Sequence, residues 1–352
     1  MIQKQIDKRI YYKVQSWIKS IEDKTLRTRI LDNIVVSGGC ITSMLLDEEV
    51  NDYDIYFKDI NVLIDVANYY CNYAITKSSA RNKFRDHTNN YGDKNDLRVM
   101  IYDSENDKDI KWSVDNDYDE GVHMFYGCNY HELSDFDLPL QYTAEPFKDV
   151  RYQVKCFTPS SGITKVKYNK NMTDKPYKPV CITDNAISLE NDIQLILRFY
   201  GNPEIIISNY DYQHTKMYWT YSTGVVINIE SLKCVLNKEL KYTGSKFPIA
   251  SLFRMRKFIK RGWFINVGEI LKMVYQIDRL DLYDIKTMYE QLVGVDVLYM
   301  KPFIDAMMEY ARKGEDRFGI DHHEVIKIID SVFEKRYINP EEIYEDDSDG
   351  ED

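Results

Sequence analysis

The sequence predicts an α+β protein, with strands and helices mixed in its first two thirds and helices alone in its last third. A β-branched run, Ile34 to Val36, ends at a Ser-Gly-Gly turn, and a second strand pattern, Tyr53 to Phe57, follows a short helix. From Ile249 onward, apolar residues recur with the 3.6-residue period of helices. We therefore expect a head with a mixed sheet and flanking helices, followed by an all-helical C-terminal domain.

An N-terminal amphipathic helix is predicted for residues 1–32, because apolar residues recur at helical spacing from Ile6 to Ile21. The first strand then stops at the turn Ser37-Gly38-Gly39, and Ile41 to Leu46 predicts a helix that begins at this turn.

The remaining elements are predicted from similar patterns. Residues 61–73 indicate a helix, 96–102 and 151–157 are strand candidates, and 192–200 is a strong strand that a return strand over 204–208 would follow. Helices are expected at 252–262, 267–277, 284–292, 303–313 and 322–335.

The charge of the chain limits how it could bind nucleic acid. With a formal net charge of −11, the protein is not expected to coat nucleic acid through bulk electrostatics, so any such contact must be local. Much of the acidity lies in residues 103–120 and in the tail 341–352, which contains eight carboxylates. We expect residues 339–352 to form a disordered acidic tail, although such a tail could also occupy a basic groove.

Neither a secretory signal nor a membrane span is evident in the sequence. The first twenty residues mix charged with apolar residues, and no uninterrupted apolar run approaches bilayer length. The six cysteines form no C-x-x-C pair and have no histidine at metal-ligand spacing, so they are expected to be reduced thiols. We expect a cytoplasmic protein without a membrane partner.

Two aspartates near the glycine turn suggest phosphoryl-transfer chemistry. Asp52 and Asp54, at positions i and i+2 of a strand, point to the same face, as carboxylates that hold a divalent metal must. Gly38 and Gly39 would let backbone N–H groups approach a triphosphate. Alone, a D-x-D is more often a solvated pair and Gly-Gly more often a plain turn, but their combination in this order favours a nucleotide site.

These residues resemble the DNA polymerase β superfamily of nucleotidyltransferases, in particular bacterial CCA-adding enzymes and poly(A) polymerases. Gly38-Gly39, Leu45-Leu46 and Asp52-Tyr53-Asp54 fall in the register of that family's pattern. The resemblance implies a polymerase β-like head, Mg²⁺ or Mn²⁺ held by Asp52 and Asp54, and nucleotide binding at Ser37, Gly38 and Gly39. An NTP and RNA are the implied partners.

The resemblance resumes later in the chain. Asn209-Tyr210-Asp211-Tyr212 is similar to a family segment whose aspartate addresses the nucleotide sugar, which implies a catalytic role for Asp211. A third metal carboxylate or a simple turn residue are the alternatives for Asp211. The segment 252–263 resembles the Arg-rich neck helix that ends at a Gly-aromatic pair, and 226–232 resembles the stretch that closes the head.

Three cations share one face of the predicted neck helix: Arg254, Lys257 and Arg261. We expect them to bind the triphosphate or RNA phosphates, because the helix would follow the nucleotide site in an otherwise acidic protein. The simpler alternative is a solvated basic face, with Phe253, Phe258 and Ile259 packed inward.

The sequence also departs from the family pattern. The family's Arg-Asp after the glycines is Thr42-Ser43 here, and its base-selecting motif has no counterpart near 247–251, so base choice does not carry over. The head, 33–245, contains an expected insertion at about 58–190, and a helical neck and body domain follows at 246–338. The make-up resembles divergent nucleotidyltransferase-like proteins of large bacteriophages.

The leading functional hypothesis is transfer of a nucleoside monophosphate from an NTP to a hydroxyl, with an RNA 3′ end as acceptor. A second hypothesis keeps this chemistry but moves the acceptor to a protein side chain or a small molecule. The third is an inactive, nucleotidyltransferase-derived module that binds RNA or another partner.

Overall fold

The computed structural model describes residues 2–77, 97–103, 108–110, 152–157, 163–168, 176–282 and 322–333, with isolated positions between 284 and 309. The chain divides into two compact units, Met1–Asn237 and Lys238–Asp352. The acidic tail and the acidic stretch from residue 111 to 120 lie outside the described residues.

The first unit contains all the strands and most of the helices that the structure describes. Its helices are α1 (Ile2–Ser20), α2 (Lys24–Asn33), α3 (Gly39–Leu45), α4 (Ile60–Lys77), α5 (Pro203–Ser208) and α6 (Ile229–Asn237). Its strands are β1 (Ile34–Ser37), β2 (Tyr53–Phe57), β3 (Arg98–Asp103), β4 (Lys108–Ile110), β5 (Tyr152–Phe157), β6 (Ile163–Lys165), β7 (Pro179–Thr183), β8 (Ala186–Leu189), β9 (Ile193–Tyr200), β10 (Tyr218–Thr220) and β11 (Gly224–Val226).

A mixed sheet of eight strands forms the centre of this unit, in the order β11-β10-β1-β2-β9-β8-β7-β6. Neighbouring strands pair antiparallel except β2 and β9, which are parallel. β1 and β2 therefore lie inside the sheet, with a hydrogen-bonded neighbour on each side. Strands β4, β3 and β5 form a separate three-stranded sheet.

The predicted insertion at about 58–190 contributes to both sheets. It includes the small sheet, but β6, β7 and β8 extend the main sheet beyond β9, and α4 has buried residues along most of its length. Three of the eight strands of the main sheet therefore lie in this range.

The N-terminal segment 1–32 is two helices rather than the single helix predicted. Ile21, Glu22 and Asp23 separate α1 from α2, and the Asp23 carboxylate accepts hydrogen bonds from the backbone N–H groups of Thr25 and Leu26 at 2.8 and 3.0 Å. Aspartate at this N-cap position satisfies amides that have no partner within the first turn. The apolar period that predicted one helix belongs to α1, whose buried residues are Ile6, Ile10, Val14, Trp17 and Ile18.

The return strand predicted over 204–208 is also wrong, since this segment is helix α5. Pro203 occupies its first turn, and Asn202 before it has the extended backbone of an N-cap. Proline is well suited to the first turn of a helix because its missing N–H would have no partner there. Ile206 of α5 packs in a buried cluster with Val35 and Tyr56.

The second unit is helical where it is described. It contains α7 (Pro248–Lys260), α8 (Val267–Ile277) and α9 (His322–Phe333), which agree with three of the predicted helices, while those at 284–292 and 303–313 fall largely outside the described residues. The buried Glu269 carboxylate of α8 accepts a hydrogen bond from the backbone N–H of Tyr242 at 2.7 Å and forms an ion pair with Lys272 at 2.8 Å. The predicted fold class, an α+β head followed by a helical region, is confirmed.

Within the described residues, no helix has the length and apolar character needed to cross a bilayer. The five cysteines in the same part of the chain form no disulfide, and all except Cys181 are buried.

One buried hydrogen bond in the first unit offers a test of the packing. The Trp17 indole N–H donates to the Tyr70 hydroxyl at 2.7 Å, between α1 and α4. Tyr70→Phe leaves this buried donor unsatisfied, which costs about 1–3 kcal/mol of unfolding free energy. Urea denaturation should show the loss for Tyr70→Phe and no measurable change for the control Tyr12→Phe, whose ring is exposed.

Candidate functional site

The predicted carboxylates lie where β1 ends and β2 begins. Ser37, the last residue of β1, pairs with Asp54 of β2 in the antiparallel register. Asp54 is half-buried and Asp52, just before the strand, is exposed. Because side chains alternate along a strand, Asp52 and Asp54 share a face with Ser37. The structure therefore brings together the turn and the two carboxylates.

Gly38 has a geometry that other residues rarely adopt. Its φ is +90°, and a Cβ added to it would lie 2.4 Å from Asp54 Oδ2. This combination requires glycine, because L side chains are disfavoured at such angles and the carboxylate already fills the space. At Gly39, by contrast, an added Cβ would meet nothing within 4 Å, so the start of α3 is open.

Both carboxylates affect the ionisation of neighbouring groups. Burial raises the pKa of the Cys40 thiol, and the charges of Asp54 and Asp52 raise it further. Burial, followed by the charge of Asp54, also raises the pKa of Tyr210. Burial is the larger cause in both cases, and the carboxylates add negative charge near the Cys40 thiol and the Tyr210 ring.

Tyrosines form the apolar border of the site. The Tyr56 and Tyr210 rings are 6.1 Å apart, and both pack at the cluster that contains Val35 and Ile206. Tyr56 lies two residues after Asp54, hence on the same face of β2. One side of the carboxylate pair is thus lined by aromatic rings.

Backbone carbonyls of residues 213–217 hold this region in place. Ser37 Oγ donates to the Met217 carbonyl at 2.6 Å, and Thr42 Oγ1 of α3 donates to the His214 carbonyl at 2.9 Å. From α6 and the residue before it, Ser231 Oγ donates to Gln213 O and Asn228 Nδ2 to Lys216 O, both at 2.6 Å. The Ser37 hydroxyl is therefore engaged within the fold, and nucleotide binding at Ser37 stays a prediction.

Asp211 lies just before this segment and is buried. Burial lowers the pKa of Lys216 to about 8, and the Asp211 carboxylate partly opposes this shift. Lys216 Nζ also donates to the Ser208 carbonyl at 3.2 Å. Asp211 thus has a cationic neighbour in the fold, and its catalytic role stays a prediction.

The carboxylates of Asp52 and Asp54 would be the protein ligands of a divalent cation. In the described part of the chain, no group of three or more His, Cys, Asp or Glu side chains could hold a metal ion. Mg²⁺ is commonly bound by one or two carboxylates, with water and substrate phosphates completing its shell. Asp52 and Asp54, close to an open glycine turn, fit a Mg²⁺ or Mn²⁺ ion of this kind.

The three predicted neck cations lie on α7 in the second unit. Lys257 is exposed, Arg254 and Arg261 are half-buried, and the Arg261 guanidinium lies over the Phe258 ring at 5.3 Å. Phe258 is buried as expected, but Ile259, expected to pack inward, is 45% exposed, since consecutive residues point about 100° apart around a helix. Phosphate binding by the three cations stays a prediction.

Several residues around the carboxylates were not recognisable as site residues in the sequence. Thr42 donates to the carbonyl of His214 across 172 residues of chain, burial and the charge of Asp54 raise the pKa of Tyr210, and Lys216 interacts with Asp211. No local spacing encodes the long-range contacts of Thr42 and Tyr210, and the burial of the Thr42 hydroxyl is visible only in the fold.

Two solved structures have a distantly similar arrangement. The Bacillus stearothermophilus CCA-adding enzyme in complex with CTP has a TM-score of 0.33 and 10% identity, covering 83% of this chain and 51% of that one. The Thermotoga maritima CCA-adding enzyme complexed with tRNA_CCA has a TM-score of 0.31 and 11% identity, covering 94% and 71%. This chain spans about half the length of the Bacillus enzyme.

A search of curated proteins finds no match. One family model matches residues 8–238, which is more than half of the chain and includes the glycine turn, both aspartates and Asp211. The chain therefore belongs to the Gabija anti-defense 2 family.

Proposed function

We propose that this chain is a metal-dependent nucleotidyltransferase of the polymerase β type, which transfers a nucleoside monophosphate from an NTP to a hydroxyl. The observation that carries the proposal is the placement of Gly38 directly against the Asp54 carboxylate. A turn that can approach phosphates and a carboxylate pair that can hold a cation thus occupy one end of β1 and β2.

Different residues of the site would bind the metal ion and position the triphosphate. Asp52 and Asp54 would hold Mg²⁺ or Mn²⁺, which supplies charge neutralisation for the triphosphate and a lowered pKa for the attacking hydroxyl. The backbone at Gly38 and Gly39 would position the triphosphate, and Tyr56 with Tyr210 gives an apolar border that limits water near the carboxylates. Transfer releases pyrophosphate.

The leading acceptor is an RNA 3′ hydroxyl, as the resemblance to CCA-adding enzymes and poly(A) polymerases implies. A protein or small-molecule acceptor is the second candidate, and the family name favours it because the family is named for action against the Gabija defence. A component of that defence would then receive the nucleotide. In the third candidate the module binds a partner without catalysis.

The carboxylate pair gives the first test. Wild-type protein incubated with Mg²⁺, α-labelled NTPs, mixed RNA and Gabija proteins should transfer label, and Asp52→Ala/Asp54→Ala should lower the rate by a factor of about 1,000 or more. Asp32→Ala, at an exposed aspartate of α2, is the matched control and should keep the rate.

The labelled species identifies the acceptor, since label on RNA supports the leading candidate and label on protein the second. Equal labelling by the wild type and the double variant would refute the proposed reaction. If nothing is labelled and NTP with Mg²⁺ leaves the melting temperature unchanged, the non-catalytic candidate is favoured.

Gly38 and Gly39 form a matched pair for the second test. Gly38→Ala forces a Cβ against Asp54 at a strained φ, so we expect transfer to fall about 100-fold and stability to fall by about 1–3 kcal/mol. Gly39→Ala meets no atom within 4 Å and should leave stability unchanged or slightly higher. Similar losses of stability in both variants would contradict the close contact between Gly38 and Asp54.

The neck cations give a third test. Replacing Arg254, Lys257 and Arg261 by glutamine should raise the KM for NTP, or for RNA, about tenfold if these residues bind phosphates. Arg256→Gln/Lys260→Gln, with two exposed cations on the same helix, controls for general loss of positive charge. If the two variants raise the KM equally, Arg254, Lys257 and Arg261 have no specific role in phosphate binding.

A further inference from the structure

The outer side of α1 carries a cluster of tyrosines and lysines apart from the carboxylate site. We call it the α1 tyrosine face and define it as Lys4, Lys8, Tyr11, Tyr12 and Tyr221. The first four residues follow helical spacing along α1, and Tyr221 comes from the turn between β10 and β11. All five side chains are exposed, including 59% of Tyr12 and 45% of Tyr221.

The aromatic rings of this face are arranged in a continuous surface. Tyr11 stacks on Tyr221, with centroids 6.1 Å apart and planes inclined by 22°, and meets Tyr12 edge-on at 5.7 Å. Lys8 Nζ lies 5.7 Å from the centre of the Tyr12 ring. Flat rings beside a cation provide both a stacking surface and a charge partner.

The inner side of α1 fixes this face to the sheet. Gln3 Nε2 donates to the Val225 carbonyl at 2.9 Å, and the Trp219 indole N–H donates to Asp7 Oδ1 at 2.7 Å. At Gly224, whose φ is +66°, a Cβ would lie 2.9 Å from the same Asp7 oxygen. The helix and the hairpin are therefore closely fitted, and the rings of Tyr11 and Tyr221 are held together in advance of any partner.

The charge of α1 contrasts with that of the whole chain. The helix carries five lysines and arginines and one carboxylate, Asp7, in a protein of net charge −11. Asp7 is engaged by Trp219 on the inner side, so the outer side presents positive charge. Local positive charge in an acidic protein favours a polyanion and disfavours most other surfaces.

We propose that the α1 tyrosine face binds single-stranded RNA. Unpaired bases would stack on the tyrosine rings while Lys4 and Lys8 contact phosphates, which is how sequence-tolerant single-strand sites work. A duplex would bury the faces of its bases and gain little from the rings. The tyrosine hydroxyls at the ring edges can bond 2′-hydroxyl groups, which RNA has and DNA lacks.

The face is a separate site from the carboxylate pair. Tyr221 follows Thr220, which pairs with Val35, so the hairpin turn lies toward the opposite end of β1 from Ser37. The inference does not rest on the proposed transfer reaction, because it concerns binding alone.

Fluorescence anisotropy with labelled 15-nucleotide oligo(U) and oligo(A), without NTP or metal, tests this binding in the full chain. Tyr11→Ala/Tyr12→Ala/Tyr221→Ala should weaken RNA binding at least about tenfold, since each stacked base contributes substantially. Lys4→Gln/Lys8→Gln should lower the slope of log K against log salt by about 1.4, as expected for two lost phosphate contacts. It changes only exposed lysines and so tests the face even if the triple variant is unstable.

The matched controls are Tyr275→Ala and Lys24→Gln, which remove an exposed tyrosine and an exposed lysine elsewhere and should keep the wild-type affinity. RNA should bind more tightly than DNA of the same sequence and than duplex RNA. Absence of binding, wild-type affinity in the tyrosine and lysine variants, or equal affinity for DNA would each overturn the assignment. Since no NTP is present, such a failure would leave the proposed transfer reaction standing.

Discussion

The pairing of Ser37 with Asp54 is the constraint on which the geometry of the site depends. Opposite residues of an antiparallel pair lie roughly 4.5–5.5 Å apart, so the chain that leaves β1 must pass close to the carboxylate. Only glycine fits at the next position, as the 2.4 Å approach of a Cβ at Gly38 shows. Both strands have neighbours on each side, which prevents the pair from shifting register.

Buried side-chain hydrogen bonds carry this constraint to the rest of the first unit. Ser37 and Thr42 donate to carbonyls of residues 213–217, and Asn228 and Ser231 donate to carbonyls of the same segment from the other side. Each bond gives a buried or half-buried side chain a hydrogen-bond partner in this segment. The Thr42 hydroxyl thereby connects α3 to this segment.

The sequence predicted those features that depend on local spacing. The period of two on β2 placed Asp52 and Asp54 on one face, the glycine turn placed α3, and the helical period located α7 and α8. Capping chemistry was overlooked, because Asp23 divides the N-terminal helix and Pro203 begins a helix where a strand was expected. The signals were present in the sequence, but apolar periodicity outweighed them.

Other features could not be predicted from local spacing. The parallel pairing of β2 with β9 joins residues about 140 positions apart, and β6, β7 and β8 reach the main sheet only because β9 does. The burial that lowers the pKa of Lys216 to about 8, against the opposing charge of Asp211, likewise exists only in the folded chain. Strand order and burial are properties of the folded chain, so the placement of the two aspartates was predictable and that of their surroundings was not.

The proposed reaction implies that metal and NTP depend on each other for binding at the two-carboxylate site. Asp52 and Asp54 supply too few oxygens to surround a divalent cation, which takes about six ligands, and in the described chain no third acidic, thiol or imidazole group is placed to hold the ion with them. Triphosphate oxygens can complete the shell, because the glycine turn leaves the start of α3 open beside Asp54. Metal and NTP would then bind cooperatively, each raising the affinity of the other by the same factor. Burial is the main cause that raises the pKa of Cys40, and the charges of Asp54 and Asp52 add to it; a bound cation would neutralise those charges, so the site would favour the metal–nucleotide complex over the bare triphosphate.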